Sequence, residues 1–177
     1  MRKLAIKVKI NDSVAVNKAL HDAGRKLGDE YQQFDRVFMP RGYQQAYPDP
    51  SVAPQLIIRT NTIAGQISHM MILKRPVSPN LTYFFQTQVM DYNQTAHIVN
   101  NMGYELHTEI AKRRRKLLIG SVVLYLDYLD GYGWFLKIEK NLKNHESDNT
   151  DDLWEVLESL GVKQAEAVGR YSELIKQ

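Results

Sequence analysis

Residues 3–10 read KLAIKVKI, and their alternation decides how the chain is built. Leu4, Ile6, Val8 and Ile10 fall on one side, and Lys3, Ala5, Lys7 and Lys9 on the other. A period of two is that of a β-strand with one apolar face. The other face carries three lysines, which repel one another unless water or an anion lies against them.

The pattern recurs along the chain. Strands are expected over 4–10, 31–39, 55–60, 68–74, 82–89, 109–119, 122–128 and 134–139, and helices over 14–23, 93–102, 153–160 and 165–175. Asn11-Asp12-Ser13 supplies a helix start, and Gly24, Gly103 and Gly161 supply stops. Residues 40–54, with four prolines and a glycine, read as a loop, as does the polar stretch 145–150. No repeat, linker or low-complexity tract divides the 177 residues, so a single α+β domain over 1–177 is expected. About eight meandering antiparallel strands with flanking helices favour a closed or nearly closed β-barrel, because closure removes exposed edges.

Alternation also sorts the polar side chains. Leu56 and Ile58 oppose Ile57 and Arg59; Met71 and Leu73 oppose Met70, Ile72 and Lys74. Lys112, Arg114 and Lys116 oppose Arg113 and Arg115; Leu124 and Leu126 oppose Tyr125 and Asp127; Leu136 and Ile138 oppose Phe135, Lys137 and Glu139. One face of nearly every strand is apolar. The other carries a cation: Lys7, Arg59, Lys74, Lys112, Arg114 or Lys137. A sheet with one wet face accounts for each lysine singly. It does not account for the sign, because solvated faces mix both charges, and Asp127 and Glu139 are almost the only acids in this set. Cations facing one another across a closed sheet call for an anion between them, and a polyphosphate fits.

Bulk properties narrow the function classes. The net charge of +3 and pI near 9.0 suit an anionic small ligand without demanding nucleic acid. With no cysteine there is no disulfide, thiolate zinc site or cysteine nucleophile. The N-terminus lacks an apolar h-region and no window nears 18 apolar residues, so neither a signal peptide nor a membrane span is expected, and a cytoplasmic location is. His21, His69, His97, His107 and His145 lack metal-binding spacing, and Gly131-Tyr132-Gly133 lacks a GxGxxG context. The basic run 112–116, with Tyr125, Tyr128, Tyr132 and Trp134 nearby, has the composition of a single-strand-binding surface. Alternation splits that run between two faces, so nucleic acid is not the expected partner.

These stretches resemble the CYTH superfamily, the triphosphate tunnel proteins, and most closely its class IV adenylate cyclase branch. KLAIKVKIND sits where that family has its ExExK strand, LIIR is similar to LRIR, MMILKRPV to LTLKxPV, and AKRRR to KxR. The helix NQTAHIVNNMGY is similar to one ending in LGF or LGY, LDYLDGYGWFLKIE to LDxVxGLGxFxEIE, and RYSELI to RSYxELL. The resemblance implies an antiparallel barrel whose basic residues hold a triphosphate and whose glutamates hold Mg²⁺ or Mn²⁺. It places Lys7, Arg59, Lys74, Lys112 and Arg114 at phosphate-binding positions and Asp127 near the metal. No zinc and no organic cofactor are expected, and cyclase relatives suggest a homodimer.

The departures bear on chemistry. Lys3 and Ala5 stand where ExExK has its glutamates, Ile57 replaces an arginine, and Lys137 replaces the first glutamate of FxEIE, leaving Glu139. Phe84 and Gln86 stand where a central strand has carboxylates. No glutamate precedes Glu30, and none lies between Glu30 and Glu105. Mg²⁺ needs oxygen ligands, usually one or two carboxylates besides phosphate, and Asp127 and Glu139 are the remaining metal candidates. Replacing glutamate by lysine weakens a metal site and adds direct phosphate contacts, here from Lys3 and Lys137. The expectation is a protein that binds an ATP-like nucleotide, triphosphate or polyphosphate with weakened or lost metal-dependent catalysis. The alternatives are an active class IV adenylate cyclase, making cAMP and pyrophosphate from ATP, or a triphosphatase.

Overall fold

The computed structural model describes residues 1–143, 146–162 and 167–175. Eight strands form it: β1 (Arg2–Ile10), β2 (Tyr31–Pro40), β3 (Gln55–Ile63), β4 (Gln66–Pro76), β5 (Leu81–Val89), β6 (Tyr104–Ile119), β7 (Val122–Leu129) and β8 (Gly133–Leu142). They close into one barrel in the order β1-β5-β4-β3-β2-β6-β7-β8, with every neighbouring pair antiparallel. The helices are α1 (Ser13–Asp22), α2 (Tyr43–Ala46), α3 (Tyr92–Asn101), α4 (Asp151–Glu158) and α5 (Tyr171–Leu174), with a 3-10 turn at Pro50–Val52.

Local chemistry sets the element ends. Asp12 accepts hydrogen bonds from the Val14 and Ala15 amides and starts α1, and Asp91 accepts from the Gln94 amide and starts α3. Between β3 and β4, Ala64 (φ 48°) and Gly65 (φ 79°) both take left-handed backbone, the geometry a two-residue hairpin turn requires.

The barrel is apolar outside and charged inside. Leu4, Ile6, Val8 and Ile10 of β1 join Leu124 and Leu126 of β7 and Leu136 and Ile138 of β8 on the outer wall. Val16 and Leu20 of α1 and Leu153 and Leu157 of α4 cover them. A second outer cluster places Val99 of α3 on Phe38, Leu56 and Ile58. Apolar area is buried between wall and helices and also inside the barrel, where Val37, Ile57, Ile72, Phe84, Ile110, Leu129 and Phe135 pack with Tyr171, and each contact stabilises by about 25 cal/mol per Å². The remaining part of the barrel interior is left to polar side chains.

Two expectations are revised. The loop over 40–54 contains α2 and the 3-10 turn. The stretch expected as helix 165–175 is not one helix where it is described: Ala167 bridges to Val8, and only Tyr171–Leu174 is helical. Gly169 lies between these two pieces, and glycine is a poor helix former. The first part of that expected helix, 165–166, and His145 of the expected polar loop lie outside the described residues.

Candidate functional site

Inside the barrel is a cavity of about 210 Å³. β1 contributes Lys3, Ala5 and Lys7 to its lining, β3 Arg59, β4 Lys74, β6 Lys112 and Arg114, and β8 Lys137 and Glu139. Seven basic residues expected from sequence are thus brought into one chamber. The lining is completed by Pro76, Ser78, Pro79 and Asn80 around the β4–β5 turn, Ser51 of the 3-10 turn, and Val168 to Glu173; Pro79 and Asn80 are exposed, whereas Tyr171 and Ser172 are buried.

Three carboxylates hold most of these cations. Asp127 is 0% exposed. It accepts two bonds from Arg114, from Nε at 2.5 Å and from the terminal guanidinium nitrogen at 2.6 Å, and a third from the Tyr171 hydroxyl at 2.7 Å. Burial alone would raise its pKa, but Arg114 overrides burial and brings it down to about 2. The same pairing raises Arg114 further above the usual arginine range, against the opposing effect of burial. Asp35 of β2 accepts two bonds from Arg59, at 2.7 and 2.8 Å, and one from Lys112 at 3.3 Å. Burial again opposes its ionisation, and Arg59 and Lys112 hold it well below the usual carboxylate range. Glu139 accepts from Lys3 at 3.0 Å, from the Tyr125 hydroxyl at 3.1 Å and from Lys137. Lys137 and Lys3 together outweigh burial and keep Glu139 ionised below the usual range.

Two lysines are held differently. Lys7 Nζ donates to the Gly169 carbonyl at 2.9 Å and sits 3.9 Å from the centre of the Tyr171 ring. The Lys74 side chain, also in the cavity lining, makes no hydrogen bond or ion pair among the described residues. Burial, then the charges of Lys137 and Lys112, push the Lys7 ammonium well below the usual lysine range. Burial, then Lys137 and Arg59, do the same to Lys74. Lys112 is intermediate: burial brings it down to about 7, although Asp35 supports its charge.

The strands thus present seven cations (Lys3, Lys7, Arg59, Lys74, Lys112, Arg114 and Lys137) and three carboxylates (Asp35, Asp127 and Glu139), a formal excess of four positive charges. Sequence reasoning missed Asp35 and Tyr171. Asp35 was legible: in YQQFDRV it shares a strand face with Gln33 and Val37, and all three are buried.

This donor set does not fit a resident divalent cation. The two expected metal residues, Asp127 and Glu139, are each engaged by a cation and by a tyrosine hydroxyl. Among the described residues no three Asp, Glu, His or Cys side chains group as ligands. A divalent ion placed here would add charge to an interior that is already positive.

No protein-family model and no curated protein matches the sequence. Solved structures match it in fold. The PH1012 protein of Pyrococcus horikoshii is 21% identical over 98% of this chain and 99% of its own, with a TM-score of 0.81. An adenylate cyclase candidate from Vibrio parahaemolyticus is 18% identical over 97% of this chain and 96% of its own, with a TM-score of 0.74. An adenylyl cyclase candidate from Hippeastrum, whose dominant activity is that of a triphosphatase, is 16% identical over 90% of this chain and 87% of its own, with a TM-score of 0.56. The fold is therefore the closed antiparallel barrel of the triphosphate-tunnel type. Adenylate cyclase candidates are among its structural neighbours. No helix of the described residues is long and apolar enough to cross a membrane.

Proposed function

We propose that the barrel binds a triphosphate or short polyphosphate, free or as the phosphate end of an ATP-like nucleotide. Lysine and arginine make the contacts directly, without a resident metal. The observation that carries this reading is that Lys7 and Lys74 face the cavity with no carboxylate partner among the described residues, in an interior with surplus positive charge. Buried charge is costly unless it is paired, and phosphate oxygens supply the missing partners with strong charge-assisted bonds. A cavity of about 210 Å³ is smaller than the ~300–1,000 Å³ common for whole drug-sized ligands. The polyphosphate chain therefore occupies the chamber, and any nucleoside lies at the mouth, near Pro79, Asn80 and Arg170.

Catalysis by this site is weak or absent. A lysine neutralises phosphate charge but does not acidify a bound water or hydroxyl as a metal does. The test is calorimetric titration with tripolyphosphate, ATP and GTP, in EDTA and then with Mg²⁺ or Mn²⁺, with cAMP and phosphate release assayed alongside. Binding in EDTA without turnover is expected. Binding only with metal, accompanied by cAMP or phosphate release, would establish an active enzyme in its place. Failure of all three ligands to bind would remove the reading altogether.

A further inference from the structure

We infer that the barrel takes up its anion together with protons, with Lys7 and Lys74 as the groups that gain them. The inference rests on the proposed anion binding and adds the ionic form in which the protein waits for its ligand.

Charge placement around the two amines leads to it. Lys7 faces Lys137 of β8 and Lys112 of β6; Asp127 of β7 and Glu173 of α5 act on it from the negative side. Neither carboxylate is bonded to it: Asp127 is bonded to Arg114 and Tyr171, and Glu173 lies beside Arg170. The direct contacts of Lys7 are a backbone carbonyl and an aromatic ring; both favour the ammonium form, but neither carries a formal negative charge to offset the surrounding cations. Lys74 faces Lys137, Arg59 and Lys112, with Asp35 of β2 already bonded to Arg59 and Lys112. Its register partners are Gln55 on β3 and Phe84 on β5, and β5, LTYFFQTQV, has no charged residue. Both amines therefore sit half-buried among cations that the carboxylates of the described residues do not offset. Such amines lose their protons readily. Phosphate oxygens arriving within contact distance reverse the local potential and restore the ammonium form. By linkage, a group whose affinity for protons rises on binding draws protons from solution, and the ligand's affinity falls as pH rises.

The experiment is calorimetric titration of the full chain with ATP in EDTA, in two non-phosphate buffers of different ionisation enthalpy at one pH. A pH of about 8.5 is chosen because phosphate monoesters have lost their last proton well below it, their second pKa being near ~6. The buffer dependence of the heat then counts protons taken up by the protein. At least about two per ATP are expected, because Lys112, which burial brings down to about 7, adds to the uptake of Lys7 and Lys74, with affinity falling about 100-fold or more per pH unit above that point. K7R and K74R keep the charge but remove the titration, since arginine stays protonated. Each is expected to bind ATP and to lower the uptake by about one proton. K18M, at an exposed pair with Asp22 on α1, is expected to leave uptake unchanged. Binding with no uptake, or with net release, overturns the inference while leaving anion binding intact. Unchanged uptake in both K7R and K74R overturns the assignment to these lysines. Failure of ATP, GTP and tripolyphosphate to bind wild-type protein overturns the proposed function, and the inference falls with it.

Discussion

Arg114 and Lys74 both face the interior of the same barrel, but in opposite circumstances. Arg114 is clamped by both oxygens of a fully buried aspartate, and that aspartate is clamped in turn by a tyrosine from the chain's last described segment. Lys74 has uncharged register partners on both sides and, among the described residues, no carboxylate bonded to it. One set of groups satisfies itself; under the proposed function, the other is satisfied by a ligand from outside. Residues that hold the barrel together are thereby set apart from residues that, under the proposed function, await a ligand, although composition and strand face are alike for both.

The strongest way to break the comparison is at Asp127. D127N leaves Arg114 buried without its counter-charge, and breaking a buried pair from one side costs about 3–5 kcal/mol. Chemical denaturation of D127N is expected to show a loss of that size, whereas K74M is expected to leave stability unchanged or raised. Equal losses in the two variants would erase the distinction. Acid tests the same clamp without mutation. Asp127 has a folded pKa near 2, below the unfolded carboxylate value of about 4, so its stabilisation is complete above about pH 4. It is lost as pH falls through about 2. Asp35 and Glu139 are also held down and act in the same direction. A thermal-melting series should therefore decline from about pH 4 downwards, and D127N should decline less steeply.

Next in size is the ligand side. A hydrogen bond to a charged group contributes about 1.5–3 kcal/mol. K74M and K7M are each expected to weaken tripolyphosphate binding by about tenfold to a hundredfold, an effect read by titration in EDTA. If K74M binds as tightly as wild type, Lys74 does not belong to the ligand set.

Much of this division was legible before any coordinates, and the reason is geometric. The period of two in KLAIKVKI, QLIIRT and FLKIEK sorted apolar wall from charged interior, and the outer clusters keep that sorting. Even the Arg114–Asp127 pair follows from sequence. Counting back from the two-residue turn Gly120-Ser121 sets these two residues opposite one another, as the register has them. The Asp35–Arg59 pair does not follow this way. β2 and β3 are joined by fourteen residues, 41–54, containing a helix and a 3-10 turn, and no short turn transmits register across them. The entry of Tyr171 into the barrel was equally hidden, because its partner Asp127 lies 44 positions away and no local pattern links them. Local periodicity shows which way a side chain points; long-range closure decides what it meets.

Tyr171 supplies the smallest and most discriminating test. Its hydroxyl donates to Asp127 at 2.7 Å, its ring packs edge-on against Phe135 with centroids 5.2 Å apart, and Lys7 sits over its face. Y171F keeps the ring contacts and removes only the hydroxyl. Because Arg114 still holds both Asp127 oxygens, the cost should be near the low end for a bond to a charged acceptor, about 1.5 kcal/mol in denaturation. Tripolyphosphate affinity should stay within about twofold, since a ring beneath Lys7 remains in place. The opposite result, unchanged stability with a tenfold loss of affinity, would move the hydroxyl from the clamp to the anion. Asp127 would then be facing the ligand, and the boundary between the self-satisfied and the waiting groups would have to be drawn elsewhere.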